Sequence, residues 1–371
     1  MNLYFVFASM MLAGTIIGAG IFSLPYVMSV VGFGSGIFFL SGFFVVYVVI
    51  HAMFAHVLIE EKGTHELVHV VSKYLGGAWG RLASVTTLTE LLLVLTAYLI
   101  LAPSFISIVF GASHALALLL FWAISSFFIF RSLKTWGIVN TLSIVGVISI
   151  VMVVYITSLS SEGVVVWARP FSWGAYMLPF GPLLFAMSGR PSIIRVVEEW
   201  RTAQHARAPF SLAGAIVLGT LLPACVYLLF VWGVLRLTPI PTPDTLTGLR
   251  EVLPSFVIAL LGCMGLLAIG KSYFMIGADV RDIIHRDLHG SQLISTIVVL
   301  CVPLMLYLFG FNEFISVIGF VGGIFLAIEG MLIVAVWRVR FPAHPMRNSA
   351  MILYGVFMVA IFYELVRVYI V

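Results

Sequence analysis

Long apolar runs alternate along the chain with short breaks that carry charge or turn residues. Most runs reach about 20 residues or more, the length a helix needs to cross a hydrocarbon core. The pattern predicts about eleven spans, near 3–30, 33–59, 82–110, 114–130, 137–159, 174–200, 208–235, 253–279, 292–310, 312–337 and 349–370. A transmembrane barrel would show short alternating segments instead. The spans therefore read as helices, whose backbone polar groups are satisfied within each segment. The expected fold class is an all-α polytopic membrane protein. No soluble domain or long linker interrupts the series, so 1–371 reads as one transmembrane domain.

Composition agrees: the chain is 62% hydrophobic and 9% charged, with mean hydropathy +1.17. A soluble domain carries about 25% charged residues. Cys225, Cys263 and Cys301 fall inside apolar runs without metal-ligand spacing and read as small core residues. The formal charge of +4 comes from scattered basic residues, so no nucleic-acid partner is expected. The first apolar run lacks a charged leader and a clear cleavage site, and reads as an uncleaved membrane helix. Orientation follows from the 19 Lys and Arg residues. With the N-terminus in the cytoplasm, Arg169, Arg236, Arg250 and Arg367 lie outside, Lys271 lies within a span, and fourteen lie inside. An odd span count then places the C-terminus outside.

Two spans are interrupted. The first carries Gly14-Thr-Ile-Ile-Gly-Ala-Gly20 and then Pro25. The sixth carries Pro179, Gly181-Pro182 and Ser188-Gly189-Arg190-Pro191. Glycine and proline weaken helix interiors, and close helix contact is the alternative use of such glycines. Five crossings separate the two interruptions, so their helices run in opposite senses. Paired interrupted helices in two inverted halves point to a transporter binding site, with free N–H groups for a carboxylate and free carbonyls for a cation.

At these residues the chain resembles the amino acid/polyamine/organocation superfamily. Within it, the chain is most similar to bacterial aromatic (tryptophan/tyrosine-type) amino acid permeases and the related amino acid transporter family. The stretch 14–25, Lys73-Tyr-Leu-Gly76, Ala97-Tyr98, Phe185-Ala-Met-Ser-Gly189, Gly248-Leu249 and Ile328-Glu329-Gly330 occur in the family's order. The resemblance implies a LeuT-type fold: inverted five-helix repeats near 1–160 and 170–340, plus an extra helix near 349–371. It also implies amino acid transport across the inner membrane, without a cofactor. The substrate would meet Thr15, Ile16, Gly18, Ala19 and Gly20 on one wall, with the Ile16 carbonyl at its amine and the Ala19 and Gly20 amides at its carboxylate. Phe185, Ser188 and Gly189 would form the other wall, and Tyr98 would close the site. The sequence departs from the family where Arg190 follows the break and Arg195 replaces an acidic residue.

Glu90, Lys271 and Glu329 lie well inside spans, where each costs about 2.5–3.5 kcal/mol or more unless paired or wet. Each lies eight or nine residues from the cytoplasmic end of its helix. At ~1.5 Å per residue all three share one depth, roughly 12–14 Å in. Two readings stand: a snorkelling lysine with structural glutamates, or a coupling site. By resemblance, Lys271-Ser272 occupies the sodium-binding hydroxyl pair of related transporters, with the carbonyls of Gly14 and Ile17 nearby. A lysine ammonium there would serve as a tethered cation and, desolvated, would release a proton. Proton coupling is therefore expected over sodium.

His65-Glu66-Leu-Val-His69 fits a zinc-protease pattern. Such a site needs a third ligand, and no companion motif is evident. Leu67, Val71 and Leu75 instead form one apolar stripe, as in a helix lying on a membrane. A sensor that binds without carrying is the remaining alternative, and no attached signalling domain is evident.

Overall fold

The computed structural model describes residues 2–61, 63, 66–130, 136–238, 240–287 and 290–370. The helices are α1 (Leu3–Ile16), α2 (Leu24–Val31), α3 (Phe33–Glu60), α4 (Leu67–Leu75), α5 (Gly77–Phe110), α6 (His114–Ile129), α7 (Trp136–Leu159), α8 (Trp173–Met177), α9 (Phe180–Met187), α10 (Arg190–His205), α11 (Leu212–Leu237), α12 (Leu246–Leu249), α13 (Ser255–Asp282), α14 (Gln292–Leu308), α15 (Phe314–Phe320), α16 (Ala327–Arg340) and α17 (Met351–Ile370). A wider π-helical turn, Val321–Leu326, joins α15 to α16.

Among the described residues, seven helical stretches are long and apolar enough to cross a membrane, and an eighth if the bent pair α1 and α2 counts as one span. Two shorter apolar helices, α6 and α14, follow the same series. The interrupted sixth segment falls in neither class, because α9 has only 8 residues and α10, Arg190–His205, is polar along much of its length. Two stretches form the centre: α5 and Phe314–Arg340 have 67% and 72% of their apolar windows buried, against 28% for the last helix. Glycine is required where α2 turns into α3. Gly32 has φ +86° and lies against the backbone of Trp167 and Ala168, where a Cβ would come within 2.8 Å. There the Phe33 and Gly34 amides donate to the Val166 and Trp167 carbonyls, both at 2.9 Å.

The face that carries the N-terminus is fastened by polar contacts. Asn2 caps α1 by accepting from the Tyr4 amide at 3.1 Å, and its own amide donates to the Ala208 carbonyl at 2.8 Å. At the end of α3, Glu61 accepts from Lys73 at 2.6 Å and from the Tyr74 hydroxyl at 2.5 Å. Arg201 of α10 donates to the carbonyls of Leu58 and Glu61, both at 2.6 Å. Arg340 of α16 pairs with Glu60 at 2.8 Å.

Two expectations need correction. Cys225, Cys263 and Cys301 are exposed on the outer faces of their helices, not core residues. An apolar run does not say which face turns inward, because lipid accepts apolar side chains as readily as the core does. The stripe of α4 also faces protein rather than a membrane surface: Leu67, Val70 and Val71 are buried, and α4 packs against α5 and α16.

Candidate functional site

Both predicted interruptions are real breaks. α1 ends at Ile16, Gly18 is extended, a short 3-10 turn covers Ala19–Ser23, and the axes on either side differ by 48°. α9 ends at Met187; Ser188 and Gly189 leave the helix before α10 begins. Pro25 and Pro191 fall in the first turns of α2 and α10, where a missing N–H has no intrahelical partner to lose.

Breaking a helix frees carbonyls, and side chains from neighbouring helices take them up. The fully buried Tyr227 of α11 lies between the breaks, its hydroxyl 2.6 Å from the Ile16 carbonyl and 2.9 Å from the Ala186 carbonyl. Its single proton serves one carbonyl at a time, and each carbonyl keeps a second lone pair. Tyr47 of α3 donates to the Leu184 carbonyl, and the hydroxyls of Thr15 and Ser192 meet between α1 and α10. The sequence reading singled out neither tyrosine, since an aromatic inside an apolar run carries no mark of the carbonyl it reaches.

A cavity of about 190 Å³ lies between the breaks. Its wall includes Gly14, Thr15, Ile16, Gly18, Ala19, Gly20, Glu90, Tyr98, Phe185, Ser188, Lys271 and Ser272. Ile17, Gly189 and Glu329 are not on that wall. Gly189 packs against α1, where a Cβ would come within 2.7 Å of Ile16. Gly20 is equally close to α9, 2.7 Å from the Ala186 Cα, whereas a Cβ on Gly18 would meet nothing nearer than 3.9 Å. At one end the lining residues Pro191, Met275 and Asp279 are exposed. Towards the other end Tyr98 is buried, and Phe22 packs edge-on against Phe105 at 5.1 Å and Phe230 at 6.2 Å. A separate cavity of about 650 Å³, lined by Tyr26, Asp244, Glu313 and Arg367, lies on the opposite face.

Several ionisable residues of the spans lie at or beside this cavity, whereas the buried Glu364 pairs with Arg367 on α17. Glu90, Lys271 and Glu329 are 8%, 8% and 6% exposed. Arg190 opens α10, and its Nε lies 2.8 Å from Glu329 Oε1. Glu90 is within electrostatic reach of both. Lys271 and Ser272 share the cavity wall, and the Ser272 hydroxyl donates to the Ala268 carbonyl of its own helix at 3.0 Å. Glu66, just before α4, faces Arg190 and Asp279 electrostatically. His65 lies outside the described residues, among which no group of three His, Cys, Asp or Glu could hold a metal.

The family model for the tryptophan/tyrosine permeases matches residues 1–367. The chain belongs to the tryptophan/tyrosine permease family. This permease shares its fold with solved transporters at low identity. MhsT in complex with L-phenylalanine superposes with TM-score 0.63 at 15% identity, covering 99% of this chain and 97% of that one. The Eremococcus coleocola manganese transporter superposes with TM-score 0.59 at 12% identity, covering 98% and 86%. No curated protein matches it by sequence. The permease is thus a multi-pass membrane transporter of the LeuT fold, and its family is one of carriers rather than enzymes.

Proposed function

We infer that this permease is a secondary active transporter that carries an aromatic or neutral amino acid across the inner membrane by alternating access, coupled to protons. One observation carries the reading: two helices break side by side around a cavity that has both backbone polar groups and apolar walls. A zwitterion offers an ammonium group to the carbonyls freed near Ile16 and a carboxylate to the amides of Ala19 and Gly20. Tyr227 takes one lone pair of the Ile16 carbonyl and leaves the other for the ammonium. Leu91, Val94, Phe185 and Ile276 supply an apolar wall for the side chain.

The architecture proposed is two inverted five-helix repeats, 1–160 and 170–340, followed by an extra helix, with eleven crossings when α6, α14 and the broken sixth segment are counted. With the N-terminus in the cytoplasm, the exposed end of the cavity faces inward and the C-terminus lies outside. Lys271 stands where a coupling ion would sit, so a protonated lysine replaces sodium. Counterflow in proteoliposomes against a panel of amino acids tests the function. An aromatic or neutral amino acid should exchange, and exchange of none would reject the reading. A sensor would bind without counterflow.

A further inference from the structure

On the face that carries the N-terminus, one guanidinium joins α10 to the end of α3. Arg201 Nη2 lies 2.6 Å from the Leu58 carbonyl and 2.6 Å from the Glu61 carbonyl, with the Ile59 carbonyl at 3.4 Å. Its Nη1 donates to the Gly63 carbonyl at 3.2 Å. Gly63 has φ +100°, a left-handed conformation that glycine adopts freely, and its carbonyl completes a cup around the cation. Every hydrogen bond that Arg201 makes among the described residues ends on a carbonyl.

The cup has a physical cause. The last carbonyls of a helix lack intrahelical partners and carry the negative end of its dipole. A basic residue in the helix's own last turn can cap them, but α3 has none there. The cation comes instead from a helix 140 positions beyond Glu61. A cap borrowed from another helix does more than finish α3, because it ties two elements together. Arg201 supplies the hydrogen bonds between α10 and α3 among the described residues.

The two elements it joins do different things. α10 carries Pro191 at the cavity mouth, where Met275 and Asp279 of α13 are also exposed. Its cavity end is held to α1 independently: the Thr15 and Ser192 hydroxyls meet, and Gly189 packs against Leu12 and Ile16. The end of α3 carries the other attachments of this face. The Glu61 carboxylate holds Lys73 and Tyr74 of α4, and Glu60 pairs with Arg340 of α16.

We propose that Arg201 is a positioning residue of the transport cycle: seated in the carbonyl cup, it makes α10 and the end of α3 move as one, so that opening and closing of the cavity mouth is passed on to α4 and α16. The inference rests on the transporter reading and deepens it. Arg201 touches no substrate, since it lies roughly 16 Å along α10 from Arg190 at the break. Losing it leaves the cavity wall in place and disconnects the helix that carries the mouth.

Counterflow of labelled tryptophan in proteoliposomes separates rate from binding. In Arg201→Gln the maximal rate should fall about tenfold while the half-saturating concentration stays within about twofold. Arg201→Lys keeps the charge and the long stem but not the planar fork, and should recover to within about threefold of the unaltered rate. Arg340→Gln cuts only an exposed pair and should match the unaltered protein within about twofold in both constants. Hydrogen exchange reads the joint itself. Tryptophan should change the exchange of residues 55–61 and 195–205 in parallel in the unaltered protein, and of 195–205 alone in Arg201→Gln. A cap that merely finished α3 would not produce that uncoupling. Without ligand, both segments should exchange about tenfold faster in Arg201→Gln than in the unaltered protein. An unaltered rate in Arg201→Gln, a half-saturating concentration that shifts as much as the rate, or parallel changes that persist in that variant would overturn the proposal. Absence of counterflow in the unaltered protein would reject the transporter reading instead, and the ligand-free exchange would still decide whether Arg201 joins the two helices.

Discussion

Single residues hold this site in shape by what they cap and by what they leave out. Tyr227→Phe removes one hydroxyl and leaves two buried carbonyls to share none, a cost of about 1–3 kcal/mol for an unsatisfied group. The variant should melt at a lower temperature and bind amino acid less tightly, and unchanged melting and affinity would remove Tyr227 from the clasp. The two glycines of the first break should separate. Gly20→Leu drives a side chain into the α9 backbone and should abolish binding, whereas Gly18→Ala meets open cavity and should fold normally. Binding isotherms of both variants check this; normal binding by Gly20→Leu would place the pocket elsewhere. The breaks themselves were legible, because Gly and Pro weaken a helix locally whatever surrounds it. The clasp was not: Tyr227 and Ile16 are 211 residues apart, and nothing in either neighbourhood names the other. Arg190 read only as a departure for the same reason, since its partner Glu329 arrives on a later helix.

At the scale of elements, α4 and α13 make separate predictions. Lys73 and Tyr74 hold α4 to the end of α3 through Glu61. The hydrogen bond to Glu61 chiefly raises the Lys73 ammonium above the ordinary 10.5; partial burial and then its own hydrogen bond to Glu61 raise the Tyr74 phenol above 10.0. A group raised on folding contributes in full below its unfolded value and loses that contribution as pH rises through the folded one. From neutral pH the attachment of α4 should therefore be constant up to about pH 10 and loosen as pH rises above it. A spin label at His69→Cys would report this as mobility; loosening between pH 6 and 9 would contradict it. On α13, Lys271→Ala should lose proton-driven accumulation, with any residual exchange insensitive to pH, while the unaltered protein needs no sodium. Uptake with and without each gradient, in both proteins, decides between a tethered cation and a snorkelling residue. Strict sodium dependence would end the first idea. Helix rise alone put Glu90, Lys271 and Glu329 at one depth, and Glu90 and Lys271 do share one cavity wall. Which of them meet was not legible, because depth fixes height and not the facing of each helix.

The whole molecule repeats that division. Span positions followed from apolar length, and the helices begin and end within a few residues of the expected places, except that α5 starts at Gly77 rather than near 82 and α10 runs on to His205 rather than ending near 200. The outward cysteines and the protein-facing α4 were not readable, since both depend on what packs against each face. Terminal reporter fusions should place the two ends on opposite sides of the membrane; both in the cytoplasm would refute eleven crossings. The central claim is that the cavity between the broken helices carries an amino acid on a proton gradient. Its most direct test is uptake of a labelled aromatic amino acid into sodium-free proteoliposomes with an imposed proton gradient. The account predicts accumulation above the external concentration, collapsed by a protonophore and absent in Gly20→Leu. Uptake that only equilibrates, ignores the protonophore or persists in Gly20→Leu would contradict it.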